Sequence, residues 1–484
     1  MLCGSVYLTV AGLLQIAQLG GFDADTSYHL AVGRLIRQHG ILHAFPWTSF
    51  SVMADRYADT ELLFHLFLAG LDAVVPGHAV GVAGTLLGAL LLATVALLLR
   101  AERVKLAGLW PLLALASSGA FCVRFALVRP HLLAVPLALF ITWAAARRRW
   151  ALLMAGALLF PWVHLGWISA IGLVALAEIA NFVASRRLDG RSALAVVGGL
   201  ATGLLLHPNF PAIIEHAWIE IAHTLFGAAW GGTGAIPIGG EFNPFNWQSA
   251  LRFVAIPGAL AVIALVWSLR GRPRDPVSLS FSLAACAFLL VTLKSQRFLE
   301  DLAPFAVTAA SLAFRNLRPR FLLVLLASAL GYTILVSQPL VALVRSRPRP
   351  FSEQAVATLN RVVPRNAQVF TCDWQLTGDM LLALPERRFM VALDPMLFYR
   401  KDRPLFELWQ QLVRQGPQQP ARIIRDRFGA RFVLCEDNPA FFPLLRALLA
   451  DPLAAPRMRL APLTLFEIAP PDATGAGGSD EHSQ

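Results

Sequence analysis

The feature that most constrains this chain is a succession of apolar runs, each separated from the next by only a few polar or basic residues. Such runs start near Val6, His78, Leu106, His131, Trp150, Leu165, Ser192, Phe253, Val277, Leu302 and Phe321. A bilayer accommodates many of these in one chain, because a helix satisfies its backbone polar groups within the segment itself. Composition agrees: 56% of the 484 residues are hydrophobic and 15% charged, against about a quarter charged in soluble domains. The expected architecture is therefore an all-α polytopic bundle of about 11 transmembrane helices. A net charge of +11 raises nucleic acid as a partner. The basic residues, however, sit in short clusters between apolar runs, as at Arg147-Arg148-Arg149. Membrane lipids are the expected partner and nucleic acid is not. Cys3, Cys122, Cys286, Cys372 and Cys435 form no CxxC pair and no zinc spacing, which excludes a disulfide scaffold.

Charge orients the bundle. Five clusters carry three basic residues each: Arg100/Arg103/Lys105, Arg147 to Arg149, Arg186/Arg187/Arg191, Arg270/Arg272/Arg274 and Arg315/Arg318/Arg320. The positive-inside rule assigns all five to the cytoplasmic side. They share one side only if the apolar stretch Glu61 to Val75 does not cross. At about 1.5 Å per residue it spans only about 22 Å, so it is read as a helix lying on the outer interface. The first run, Val6 to Gly20, lacks a basic region before it and a small-residue cleavage signal after it, and reads as a retained signal anchor. Two large outer loops follow from this topology, 21–77 and 208–252, the latter with a Gly-rich middle at Trp230-Gly231-Gly232. The transmembrane domain covers 1–344. From 345 to 473 the chain reads as a soluble α/β domain on the outer, periplasmic side of a cytoplasmic (inner) membrane. Its strands are expected at Gln368–Cys372, Arg388–Asp394, Arg431–Cys435 and Thr464–Ile468. Its helices are expected near Leu405–Arg414, Arg422–Arg427 and Pro443–Leu449. Residues 474–484 form a Gly/Ser/Asp-rich tail of disordered composition. Cys372 and Cys435 end two of these strands, and both a disulfide and two buried thiols satisfy that placement.

Ten of the eleven histidines, His29, His65, His131 and His164 among them, fall in outer loops or at outer ends of spans. Titratable groups gathered at one membrane face mark a candidate site there, although amphipathic histidines also populate interfaces. The sharpest local pattern is Asp23-Ala24-Asp25-Thr26-Ser27-Tyr28-His29. Two carboxylates one residue apart bind a divalent cation such as Mg²⁺ or Mn²⁺, or separate in pKa so that one accepts a proton. Asp25 also serves as an N-cap for the helix that follows, a purely structural role. Glu178 lies within a span and is expected to pair with a neighbouring Arg. Gly77-xxx-Gly81 and Gly84-xxx-Gly88 suit close helix contact.

The run DADTSYHLAVGRLIRQHGIL, then FPWTSFS, then YADTELLFHLFLAGL resembles the first outer loop of the bacterial GT-C superfamily. These are polytopic membrane glycosyltransferases related to protein mannosyltransferases, lipid A aminoarabinose transferases and oligosaccharyltransferases. Asp23/Asp25, Tyr28-His29, Phe45 to Ser51 and Glu61 match its Asp-x-Asp, aromatic-His helix, DPFS-like turn and acidic residue. The likeness extends less specifically to VRPHLLAVPLALF, PWVHLGW, LHPNFP and LKSQRFLEDLAPF. At Asp59-Thr60 the chain departs from relatives that carry an Asn-His or similar pair. The resemblance implies a transferase that moves a sugar from a polyprenyl-phosphate donor, on the outer leaflet, to a protein, lipid or glycan acceptor. Asp25, supported by Asp23 and Glu61, is then the catalytic acid/base group or, with Asp23, a metal ligand. Arg297, Arg129, His131 and Lys294 face the donor phosphate, and His29, His65 and His164 line the site. A transporter or flippase-like carrier, and a polymerase or ligase of lipid-linked glycans, are the alternatives. The first predicts charged mid-membrane helices, and the second a large late outer loop.

Overall fold

The structure is a computed structural model that describes residues 2–17, 23–225, 236, 239–271, 273–346 and 351–470. The chain forms two compact units. One comprises Met1–Leu42 and Ala58–Arg347, and the other His43–Tyr57 with Pro348–Gln484. Leu42, where the chain leaves the first unit, and Asp59, just after it re-enters, bond to one side chain. Asn209 donates through Nδ2 to the Leu42 carbonyl (2.7 Å) and accepts the Asp59 N–H at Oδ1 (3.1 Å).

The first unit is helical. Among the described residues four helices are long and apolar enough to cross a membrane: Ala79–Ala101, Leu165–Ser185, Pro276–Lys294 and Pro319–Val344. Two bent pairs raise this to six if each is one span: Gly119–Ala126 with His131–Ala146 (111°), and Trp247–Phe253 with Ala255–Arg270 (66°). Cys3–Ile16, Leu62–Val74, Trp150–Val163 and Gly190–Leu205 are apolar but shorter. The membrane-type helical architecture is as expected, while a count of eleven does not follow from helix length. The run from Leu106 shows why. It breaks at Ser118, whose extended backbone ends one helix and whose hydroxyl accepts the Phe121 N–H (3.2 Å) to start the next. Leu62–Val74, at 13 residues, spans about 20 Å and is too short for a core of about 30 Å.

Glycine controls two close helix contacts. A Cβ at Gly88 would lie 2.8 Å from Phe125 Cζ and 3.3 Å from Ala11 Cβ, whereas Gly77 and Gly81 face open space. Only the second of the two expected glycine pairs is therefore packed. Helix Gly190–Leu205 runs against Trp150–Val163 through Gly199, where a Cβ would lie 2.5 Å from the Met154 carbonyl oxygen. Among the described residues Glu178 has no arginine partner. It accepts the Asp189 N–H (3.1 Å) and the Ser192 hydroxyl (2.7 Å), bracing the start of helix Gly190–Leu205. Glu102 pairs with Arg147 and accepts the Trp143 indole N–H (2.9 Å), and Asp275 pairs with Arg315.

The second unit carries a four-stranded sheet in the order β1-β2-β4-β3. β1 is Val369–Thr371, β2 Phe432–Glu436, β3 Ala454–Leu460 and β4 Leu463–Ile468. β1 and β2 are parallel and the other pairs antiparallel. Three of the four expected strands are present. Arg388–Asp394 makes two isolated bridges, Arg388 to Gln368 and Phe389 to Thr48, rather than a strand, and its Leu393 has φ 64°. The strand that patterning misses is β3, an edge whose Pro456, Arg457 and Arg459 interrupt apolar alternation, as edge strands do. Helix Arg403–Gln415 buries Leu405, Phe406, Trp409, Leu412 and Val413, starts at the Asp402 cap and stops at left-handed Gly416. Cys372 and Cys435 form a disulfide across β1 and β2, with Cα atoms 5.0 Å apart. Segment His43–Tyr57 packs within this unit: Phe389 donates to the Trp47 carbonyl (2.7 Å), and Phe50 meets the rings of Phe398 and Phe428. The 474–484 tail and Trp230-Gly231-Gly232 lie outside the described residues.

Candidate functional site

The site is built where helix Ala24–His39 begins. Asp23, with extended backbone, is its N-cap: its Oδ2 accepts the Thr26 N–H at 3.3 Å. The capping role expected of Asp25 thus falls to Asp23. Asp25, one turn position inside the helix, is left free of capping. Arg129 binds both carboxylates, reaching the two oxygens of Asp23 at 2.7 and 2.6 Å and Asp25 Oδ2 at 2.9 Å. This guanidinium lies between helices Gly119–Ala126 and His131–Ala146, where Pro130 prevents a continuous helix and exposes the side chain to the cluster.

Glu241 closes the network from the second large loop. Its carboxylate accepts from Arg124 (3.3 Å), Arg129 (3.1 Å) and Arg297 (3.1 Å), and its backbone carbonyl accepts the Ser295 hydroxyl (3.2 Å). Arg124 is held in turn by Glu300 at 2.9 and 2.7 Å. His131 Nδ1 lies 3.9 Å from Glu300, and its buried Nε2 has no hydrogen-bond partner among the described residues. The four cations expected at a phosphate therefore differ. Arg129 is saturated by carboxylates, Arg297 has Glu241 and the face of Phe242 (5.4 Å) and stays one third exposed, and Lys294 is exposed at the end of helix Pro276–Lys294.

A second group adjoins it. His65 Nδ1 lies 2.8 Å from Asp59, and His65 Nε2 lies 2.8 Å from His29 Nδ1. Asp59 also accepts the Glu61 N–H (3.1 Å). His29, Glu61 and His65 each offer one ligand atom, all within 4.8 Å of one another. Asp23 and Asp25, the expected metal ligands, face Arg129 instead. Two imidazoles and a carboxylate suit a divalent transition ion, and the Asp59 contact supplies the outer-shell carboxylate that orients a ligating histidine. His164 accepts the Gly166 N–H at Nδ1 (2.8 Å).

Electrostatics separates the acids. Burial pushes the Asp25 carboxyl up to about 6, with Arg129 opposing and Asp23 and Glu241 adding to the rise. Burial likewise pushes Glu61 up to about 7. Against the same push, Arg129 holds Asp23 below the ordinary carboxylate range, and Arg129, Arg297 and Arg124 hold Glu241 below it. Burial, then His65, depresses His29 well below an ordinary imidazole. The charge of Arg297 acts on Asp25, Glu61 and His164 alike, so both groups border one region. Arg124, Glu241, Glu300, Asp59 and Asn209 are absent from the sequence-derived set. The available signal was charge inside apolar surroundings, as with Arg124 and Glu300.

No described protein family and no curated protein matches the sequence. Solved structures do. The chain aligns with the archaeal oligosaccharyltransferase AglB from Archaeoglobus fulgidus, in complex with an inhibitory peptide and a dolichol-phosphate, at 12% identity and TM-score 0.62. That alignment covers 90% of this chain and 69% of AglB. The apo form of the Archaeoglobus fulgidus oligosaccharyltransferase gives 13% identity and TM-score 0.63 over 94% of this chain and 73% of that one. ArnT from Cupriavidus metallidurans, bound to undecaprenyl phosphate, gives 13% identity and TM-score 0.60 over 96% of this chain and 97% of ArnT. The chain shares its fold with these solved structures.

Proposed function

We propose that this protein transfers a sugar from a polyprenyl-phosphate donor to an acceptor at the outer face of the cytoplasmic membrane. One observation carries the reading: Asp25 is fixed by Arg129, released from capping by Asp23, and shifted to about 6 beside three converging arginines. A base in this range is ionised at neutral pH yet still accepts a proton well. In the proposed reaction Asp25 takes the proton of the acceptor group as that group attacks the anomeric carbon. The bond from this carbon to the phosphate oxygen breaks, and the charge that develops on the lipid phosphate is met by Arg297. Lys294, exposed nearby in sequence, attracts the headgroup, and Arg129 positions the two aspartates. His29, Glu61 and His65 would hold a divalent cation such as Mn²⁺, which supplies Lewis-acid stabilisation of anionic oxygens when bound.

The five basic clusters support placing the opposite face in the cytoplasm. The Cys372–Cys435 disulfide supports an oxidising compartment for the C-terminal unit. The test is turnover of polyprenyl-phosphate sugars by purified Asp25→Asn protein in lipid. Helix Ala24–His39 keeps its Asp23 cap in this variant, so folding is retained, while loss of a general base lowers the rate by about 10² to 10⁴. A rate near wild type would place the chemistry elsewhere.

A further inference from the structure

Among the charged side chains around Arg129, four carboxylates, Asp23, Asp25, Glu241 and Glu300, face three guanidiniums, Arg124, Arg129 and Arg297. Three of the carboxylates have separate tasks. Asp23 caps a helix, Asp25 lies on that helix, and Glu300 holds Arg124 alone among the arginines. Glu241 is different. Among the described residues it is the one carboxylate that touches all three guanidiniums, and its two oxygens divide them as a bridging phosphate would: Oε2 toward Arg124 and Arg129, Oε1 toward Arg297. Arginine forks recognise phosphate and carboxylate with the same geometry. With Glu241 in place the cluster has one more carboxylate than guanidinium, which opposes the entry of a further anion. With Glu241 withdrawn the two signs balance.

We infer that Glu241 is a built-in occupant of the donor-phosphate subsite: it fills the Arg124/Arg129/Arg297 cradle until the phosphate of a polyprenyl-phosphate donor displaces it. The inference rests on the proposed use of such a donor and adds that binding is competitive with the protein's own carboxylate. Glu241 is held by a short 3₁₀ turn, Gly240–Phe242, and by the contact of its carbonyl with Ser295. Its side chain therefore exchanges partners without a helix having to move. His131, whose Nδ1 lies 3.9 Å from Glu300 and whose buried Nε2 has no partner among the described residues, adds a donor at the edge of the same cluster.

The experiment is equilibrium binding of undecaprenyl phosphate to wild-type and Glu241→Gln proteins in nanodiscs, with inorganic phosphate and the isoprenoid alcohol titrated in parallel. Glu241→Gln keeps the side-chain shape and removes the competing charge. The expected result is about ten-fold tighter binding of the lipid phosphate, a larger thermal shift on its addition than in wild type, and no difference for the alcohol. Glu241→Asp, which keeps the charge but shortens the reach, is expected to fall between the two and serves if Glu241→Gln does not fold. Unchanged or weaker binding in both variants, with wild type binding normally, overturns the occupant role and leaves the donor reading intact. A gain seen equally with the alcohol also overturns it, by placing the effect in the lipid groove. Absence of phosphate-lipid binding in every protein overturns the donor reading itself.

Discussion

Asp23 and Asp25 are two positions apart, share one arginine, and end with opposite properties. Asp23 accepts two Arg129 N–H groups and the Thr26 amide, so its charged form is stabilised. Burial, with two neighbouring carboxylates adding to it and only one arginine contact opposing, disfavours the charged form of Asp25. The sign of the resulting pH dependence follows from its role. A general base works when deprotonated, and Asp25 is deprotonated above about 6. Turnover at saturating donor is therefore expected to be level above about pH 7 and to fall nearly ten-fold per unit below about pH 5.5. Residual turnover of Asp25→Asn is expected to lose that acid limb. A wild-type profile flat between about pH 5 and 8 would remove Asp25 as the base. The Asp-x-Asp pair was legible in the sequence because its spacing is local. Its partners were not, since Arg129 lies 106 positions from Asp23 and Glu241 lies 117 positions from Arg124. No pattern along the chain pairs an arginine with a carboxylate at such separations.

At the scale of elements, the apolar runs were legible as helices, and their lengths were not. The run from Leu106 continues through Ser118 in the sequence, yet there the hydroxyl of Ser118 accepts the Phe121 N–H and starts a new helix. Glycine is similarly ambiguous until neighbours are known. Gly198 and Gly199 are adjacent in helix Gly190–Leu205, and sequence gives no reason to rank them. A Cβ at Gly198 meets nothing within 4 Å, whereas at Gly199 it lies 2.5 Å from the Met154 carbonyl oxygen and 2.8 Å from Ala157 Cβ. Between apolar helices in a bilayer, association depends on such close backbone approach rather than on expulsion of water. Gly199→Ala is accordingly expected to force the helix away from Trp150–Val163 and to cost about 1–3 kcal/mol, as overpacking does. It should also strain the bond from Trp162 Nε1 to the Gly203 carbonyl (2.8 Å). Gly198→Ala, which only gains helix propensity of about 1 kcal/mol, is expected to be neutral or stabilising. Thermal unfolding of both variants in the same lipid checks the pair, and equal shifts would show that this helix contact is not as drawn.

For the whole molecule, the second of the two compact units is not one continuous stretch: it takes His43–Tyr57 together with Pro348–Gln484. Residues 43–57 carry Phe45, Trp47, Phe50 and Tyr57, and the sequence alone places them in the first outer loop, with Phe45 to Ser51 as its DPFS-like turn. Phe50 meets the rings of Phe398 and Phe428, the Trp47 carbonyl accepts the Phe389 N–H, and Asp55 pairs with Lys401 (2.8 Å). The second unit is thus assembled from two stretches of chain far apart in sequence. Within it the Cys372–Cys435 bridge joins β1 to β2 across a separation of 63 residues. Closing a loop of that size restricts the unfolded chain, and such a bridge contributes about 2–4 kcal/mol. The helical unit holds Cys3, Cys122 and Cys286 as free thiols among the described residues, so reduction alters covalent structure in the second unit alone. Addition of a membrane-permeant reductant, or the paired change Cys372→Ala with Cys435→Ala, is expected to lower the unfolding temperature of the C-terminal unit by several degrees. The transition of the helical unit is expected to stay in place. Trp409, buried and bonded through Nε1 to the Thr371 carbonyl next to the bridge (2.9 Å), reports the first event by fluorescence. An unmoved Trp409 transition would mean that the two cysteines are not joined in the protein. It would also remove the disulfide as support for an oxidising compartment, leaving the orientation to rest on the basic clusters alone.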